Sequence, residues 1–270
     1  MGMIKKIKQI FKTDKNSKPS ASRSVQVLPD DTFIVSYPKS GNTWLRFLLA
    51  NLFNLERQSV TLSSFKKFVP DIYENTQEEL LSFAKPRFLK SHEYFDPRYP
   101  KIIYIVRDPR DVAVSYYHHL IKERQIDEDY PIDEWIKAFV AGDFHPQFGT
   151  WAENVGSWLG ARNGREDFLL LSYEELLNDS LKTMLKVASF VGVARDENQL
   201  KQVIELSSAN RMRELEKKEK WLNNKANMRT DKPFIRAAKS RNWETDLSKE
   251  SIAYIENSWS TLMENLGYLN

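Results

Sequence analysis

Hydrophobic positions along this chain follow two alternating patterns. Short apolar runs bounded by polar residues, Phe33-Ile34-Val35, Lys101 to Val106 and Phe168 to Leu171, read as strands buried on both faces. Arg87 to His92 reads as a further short strand that ends in polar residues. Between and after them the period lengthens. Leu45, Leu48, Leu49, Leu52 and Phe53 fall on one helical stripe, as do Ala113, Tyr116, Tyr117, Leu120 and Ile121. Leu181, Met184, Leu185 and Ala188 form another, and Ile252, Ile255, Trp259, Leu262 and Leu266 a docking helix. Punctuation agrees with the stripes: Asp108 is an N-cap with Pro109 at N1, Pro131 opens a helix that ends near Gly142, and Gly192 and Gly267 are stops. Strand and helix in alternation predict an α/β fold, a parallel sheet flanked by helices on both faces.

The first strand-to-helix turn carries the most chemistry. In Tyr37-Pro38-Lys39-Ser40-Gly41-Asn42-Thr43-Trp44 a helix starts just beyond a strand, so its unpaired N–H groups and positive dipole end face outward. Phosphate is the usual occupant of such a position. Lys39, Ser40 and Thr43 add a cation and two hydroxyls, and Gly41 lets backbone approach an anion. The alternative is an ordinary capped βα connection. Lys39 precedes the single glycine, unlike the P-loop of nucleotide triphosphatases, where Lys follows the second glycine. That order argues against magnesium-dependent triphosphate chemistry.

At 270 residues, 41% of them hydrophobic, the chain can bury a full core. Cysteine is absent, which removes disulfides, thiolate metal sites and a cysteine nucleophile. A net charge of +3 is too small for a nucleic-acid binder, and it is unevenly placed. Residues 1 to 24 carry Lys5, Lys6, Lys8, Lys12, Lys15, Lys18 and Arg23 against Asp14, leaving the remainder slightly acidic. A small anionic ligand then needs local basic clusters. We expect residues 1–24 to be a basic, flexible segment and 25–270 to form one domain. Residues 1–12, with Met3, Ile4, Ile7, Ile10 and Phe11 among lysines, are candidates for weak contact with an anionic membrane surface. No run approaches the roughly 20 apolar residues that cross a bilayer, so a soluble, cytoplasmic protein is expected.

Downstream candidates lie where α/β sheets bind ligands, beyond the carboxyl ends of strands. His92 ends the second strand, and Arg107 follows the third. Ser115 lies off the stripe of the next helix, six residues past Pro109, a distance of about 9 Å that a folded-back arginine can span. Tyr173 ends the fourth strand. From Ser207 to Asn242 the chain is crowded with Lys and Arg, the composition of a lid that orders around a polyanion.

These segments, in this order, resemble the sulfotransferase family. Tyr37 to Trp44 matches at each fixed position the family's Tyr-Pro-Lys-Ser-Gly-x-x-Trp, the loop for the 5′-phosphosulfate of 3′-phosphoadenosine 5′-phosphosulfate (PAPS). Lys90-Ser91-His92 is similar to its Lys-x-His, whose His is the general base. Arg107 through Ser115-Tyr116 is similar to its 3′-phosphate site, Tyr173-Glu174-Glu175 to its segment near adenine, and Phe148 to Trp158 to its segment beside the acceptor pocket. Phe234-Ile235-Arg236 with Trp243 resembles its closing segment, although Ala237 and Ala238 stand where the family has Lys and Gly.

The resemblance, covering roughly Thr32 to Tyr268, implies a P-loop NTPase-like sulfotransferase fold. It implies PAPS as co-substrate, adenosine 3′,5′-bisphosphate (PAP) as product, and no metal. Lys39, Ser40, Gly41, Asn42, Thr43 and Trp44 would hold the nucleotide's 5′ side, and Arg107, Ser115 and Arg236 its 3′-phosphate. Trp44 and Tyr173 would flank adenine, with Ser207 counted among the nucleotide contacts. His92, Lys39 and Lys90 would be catalytic, acting on a hydroxyl or amine of a small-molecule, glycan or lipid acceptor. The family's dimerisation pattern has no good counterpart after Trp243, so the oligomeric state is open. Two competing readings remain: a non-catalytic adenosine-bisphosphate binder and, against the Lys-before-Gly order, a P-loop kinase.

Overall fold

The computed structural model describes residues 20–57, 59–143, 147–219, 228–236 and 239–269. Four strands, β1 (Thr32–Val35), β2 (Phe88–Ser91), β3 (Lys101–Val106) and β4 (Phe168–Ser172), form one sheet in the order β2-β1-β3-β4. Every pairing is parallel, with Phe33 opposite Leu89 on one side and Ile102 on the other. Helices follow β1, β3 and β4, while β2 leads to β3 with no helix between: α1 (Asn42–Asn54), α2 (Gln77–Leu81), α3 (Pro109–Lys122), α4 (Ile132–Ala141), α5 (Trp151–Arg162), α6 (Tyr173–Asn178), α7 (Ser180–Val191) and α8 (Glu197–Leu206). They continue as α9 (Ala209–Glu219), α10 (Trp243–Asp246) and α11 (Lys249–Asn265).

The two-residue period of the strands sorts the core onto two faces. Phe33, Val35, Ile102, Tyr104 and Val106 meet Val112, Tyr116 and Leu120 of α3, with α4, α5 and α11 behind them. Ile34, Ile103, Ile105 and Leu171 face the other way, onto Leu45, Leu48, Leu49 and Leu52 of α1 and onto α7 and α8. Each such side chain, once fully buried, stabilises by about 1.5–3 kcal/mol relative to exposure. The stripes read from the sequence are thus the packed faces, except that Leu185 of the third stripe is exposed, and the parallel sheet with helices on both sides is as expected.

One topological consequence positions everything that follows. From β1 the chain crosses first to β2 at one edge, then returns to β3 on β1's other side, so α1 and α3 leave neighbouring strands toward opposite faces. The crevice at such a reversal, beyond the carboxyl ends of β1 and β3, is where open α/β sheets take ligands.

At the start of the chain the described residues begin at residue 20. Within the segment 1–24 taken as flexible, residues 20–24 are packed: Ala21 is buried, its N–H donates to Asn75 O at 2.9 Å, and Ser22 N–H donates to Ile72 O at 2.8 Å. The candidate membrane-contacting stretch 1–12 lies outside the described residues. No described helix is long and apolar enough to cross a membrane.

Candidate active site

Beyond β1 the chain turns through two residues with left-handed backbone, Lys39 at φ +71° and Gly41 at φ +100°. Glycine is needed at 41 for this φ, and also because a Cβ there would stand 2.6 Å from Tyr173 Cδ2. Gly41 is the N-cap of α1, and no side chain caps the helix. Its first-turn N–H groups therefore face the crevice together with the positive end of the dipole. Asn42 braces the turn instead, its Nδ2 donating to Ile34 O and Ser36 Oγ at 3.2 Å each.

Polar atoms buried without a partner are rare in folded proteins. Of the seven such atoms among the described residues, three, Ser40 Oγ, Asn42 Oδ1 and Arg107 Nε, belong to residues around this crevice. Such a group fits an anionic ligand with both donors and acceptors to satisfy. Lys39 is half-buried, its Nζ 5.4 Å from the ring centre of Phe234. Burial lowers its ammonium to about 8; Glu123 opposes the shift, and Arg107 and Lys122 add to it. An incoming phosphate would relieve that unfavourable charge.

Arg107, at the end of β3, meets Lys39 across the crevice. Its Nη1 donates to Lys39 O at 3.4 Å and its Nη2 to Lys239 O at 3.0 Å, while Nη2 also lies 3.5 Å from Asp111 Oδ2. Its guanidinium covers the face of Tyr173, 4.2 Å from the ring centre. The Tyr173 and Trp44 rings meet edge to face at 5.6 Å with planes 67° apart. They are not parallel plates with a slot for adenine between them, so the expected flanking arrangement is corrected: Tyr173 supports Gly41 and Arg107. Ser207 needs a correction too. It is fully buried, its Oγ accepts from Asn51 Nδ2 at 2.9 Å, and its carbonyl accepts from Trp44 Nε1 at 3.0 Å. Ser207 thus holds Trp44 and presents no hydroxyl to a ligand.

Ser115 and Arg236 come together with Lys39 in a cleft of about 250 Å³, whose wall also includes His119, Lys122 and Lys232. Arg107 adjoins this cleft through the Lys39 carbonyl. Arg236 is exposed, with Nη1 3.4 Å from Asp246 Oδ2. Ala237 and Ala238, the departures from the family's closing segment, lie outside the described residues.

His92 follows β2, one strand over. Its Nδ1 lies 2.7 Å from Ser36 O, the carbonyl three residues before Lys39. A carbonyl only accepts, so in the neutral ring Nδ1 carries the proton and Nε2 is the basic nitrogen. The imidazole packs between Tyr73, near parallel at 6.2 Å, and the edge of Phe148 at 5.5 Å. Its own backbone N–H donates to Tyr73 Oη at 3.0 Å, and Tyr73 in turn donates to the buried Glu93 at 3.1 Å. Lys90 does not stand beside it as expected. Lys90 Nζ is paired with Asp71 Oδ2 at 2.9 Å and lies 4.6 Å from the Tyr73 ring, so it touches His92's support and not the crevice. Burial resists ionisation of Asp71, but Lys90 and Arg46 outweigh it and hold the carboxyl at about 2.

Sequence reasoning missed Tyr73, Glu93, Asp71 and Asp111. Asp111 sat inside a quoted motif, at the third position of α3, where an acid usually serves the helix dipole. Besides Arg107, four residues before it, its hydrogen-bond donors lie 130 and more residues away. Trp151 and Trp158 are fully buried core residues, yet the segment braces the site: Phe148 meets the His92 ring, Asn154 Nδ2 donates to His92 O at 3.0 Å and Trp151 Nε1 to Arg107 O at 3.2 Å.

Comparison with known proteins identifies the family and the fold. The model of the sulfotransferase domain matches residues 29–267. The 3-beta-hydroxysteroid sulfotransferase of Cavia porcellus is 31% identical over 202 residues, 70% of this chain and 68% of that protein. Among solved structures, retinol dehydratase in complex with retinol and PAP shares the fold with a TM-score of 0.74 at 20% identity, covering 90% of this chain and 84% of that one. Mouse sulfotransferase SULT7A1 complexed with PAP gives 0.70 at 23% identity, covering 91% and 87%. With the domain matched over nearly its whole length, this chain belongs to the sulfotransferase family of enzymes.

Proposed function

We propose that the protein transfers a sulfuryl group from PAPS to a hydroxyl or amine on a small apolar acceptor, with His92 as general base. The observation that carries the reading is the 2.7 Å contact from His92 Nδ1 to Ser36 O. It fixes the imidazole at the end of the strand that leads into the donor turn and leaves Nε2 as its basic nitrogen.

PAPS, when bound, supplies an activated sulfuryl group on a phosphate leaving group. The chain's own residues supply the rest. The uncapped end of α1 and Ser40 hold the 5′ side, while Arg107, Ser115 and Arg236 serve the 3′-phosphate. His92 Nε2 takes the proton of the attacking hydroxyl as its oxygen forms a bond to sulfur; the bond from sulfur to the bridging oxygen breaks, and Lys39 neutralises the charge left on that oxygen. Tyr73 and Phe148 place aromatic surface beside His92, which suits an apolar acceptor such as the hydroxysteroid and retinol named for the relatives.

The test is His92→Ala. PAP should bind as to the wild type by calorimetry, while sulfuryl transfer to a panel of hydroxysteroid and phenolic acceptors falls by about 10²–10⁴. Turnover that survives the substitution would remove His92 from the role of base.

A further inference from the structure

The carboxylate of Asp111 is almost completely buried, yet it caps nothing in its own helix. It accepts three consecutive backbone N–H groups from the far end of the closing segment: Arg241 at 2.8 Å, Asn242 at 2.9 Å and Trp243 at 3.3 Å. Arg241 holds φ +63°, a left-handed conformation that is uncommon for a residue with a side chain. That geometry aims successive N–H groups at one point, the concave nest that backbone uses to bind anions. The anion here belongs to the protein. The same carboxylate stands 3.5 Å from Arg107 Nη2, which also donates to Lys239 O. One buried acid therefore touches both the closing segment and the arginine assigned to the 3′-phosphate.

The near end of the segment is held separately. Glu216 of α9 accepts from Phe234 and Ile235 N–H, and Arg213 donates to the carbonyls of Ile235 and Arg236 at 3.2 and 3.1 Å. Arg236 thus reaches the cleft from a strand of chain docked at two places, one on α9 and one on Asp111.

We propose that Asp111 is a positioning residue for the donor nucleotide: by filling the nest of residues 241–243 it docks the closing segment against Arg107 and so assembles the 3′-phosphate site. This rests on the donor reading above. Asp111 makes no contact with the nucleotide in this scheme; it acts through Arg107 and the segment. The energy of the 3′-phosphate contact should accordingly depend on a carboxylate that the ligand never touches.

The experiment compares two probes, PAP and adenosine 5′-monophosphate, which lacks the 3′-phosphate, by calorimetry on full-length wild type and Asp111→Asn. The wild type should bind PAP more tightly, and in the variant that ratio of affinities should fall by about tenfold or more, as expected for losing a charged hydrogen-bond partner. A purely structural role would lower Tm and the active fraction with the ratio intact, and would overturn the proposal. Equal wild-type affinity for the two probes would instead sink the donor reading, and this proposal with it. Should Asp111→Asn not fold, amide exchange on the wild type decides. PAP should slow exchange at residues 241–243 and adenosine 5′-monophosphate should not; equal protection by both overturns the coupling.

Discussion

The turns after β1 and β3 are neighbours at the same sheet reversal, and both lead from strand to helix, yet they are built on opposite plans. After β1 the work is done by backbone: two left-handed residues, an N-terminus with no side-chain cap, and a glycine that no other residue can replace without meeting Tyr173. After β3 the helix satisfies itself. Asp108 caps it by accepting from Arg110 N–H at 2.9 Å, and Pro109 at the first position has no N–H to offer. A helix end already capped has little left for an anion, so the second turn contributes through long side chains, Arg107 and the latch at Asp111. The sequence reading expected an anion grip at each turn; the structure shows an open helix end only at the first, so at the second the proposed grip falls to side chains.

The sharpest way to break this contrast is Gly41→Ala. A Cβ at φ +100° is strained by about 1–3 kcal/mol wherever it points, and here it points into the Tyr173 ring at 2.6 Å. Either the ring or the loop must move, and a displacement near 1 Å in a positioning element costs about 10²-fold. We expect PAP affinity measured by calorimetry to fall by roughly that factor. Wild-type binding in this variant would mean that the backbone of the first turn is not the grip.

A second test uses the cation on the same turn. Lys39 is lowered from 10.5 to about 8, chiefly by burial. The sign follows directly: below about pH 8 the charged form is present and penalises the folded, empty protein, and that penalty fades as pH rises from 8 toward 10.5. A bound anion favours the charged form, so binding above pH 8 must take up a proton. Above the second ionisation of PAP's own phosphates at about 6, PAP affinity should fall by about tenfold between pH 7 and 9. In Lys39→Arg, whose charge persists through that range, the slope should vanish. A pH-independent wild type would place Lys39 outside the nucleotide's field.

How much of this was legible beforehand follows from the range of each interaction. The strands, the stripes and the Asp108-Pro109 start are local patterns, and each appears where its spacing put it. The contact of Arg107 with Lys39, and the place of His92 one strand over against Ser36, followed from strand ends in a parallel sheet, a rule of topology that needs no contact map. What failed was whatever depends on a distant partner. Lys90 looked catalytic because Asp71, nineteen residues earlier, gave no sign of pairing with it. Ser207 looked available because Asn51, 156 residues away, could not be seen to bury it. Asp111 was overlooked because its three donors come from the closing segment, 130 and more residues later.

The smallest expected effect on binding tests the second turn directly. Asp108→Ala removes the cap of α3, which costs about 0.5–2 kcal/mol, and also one of the anions facing Arg110. Arg110 keeps its pairing with Glu256 and its donation to Tyr268 O, so its buried charge is not abandoned. The loss should therefore appear in denaturant unfolding, as a lower midpoint with an unchanged slope. Nucleotide affinity should stay within about twofold, because a difference of that size corresponds to less than 0.5 kcal/mol. If PAP binding instead dropped tenfold while stability held, the end of α3 would itself be contacting phosphate. The second turn would then grip as the first does, and the contrast between backbone and side-chain construction would be gone.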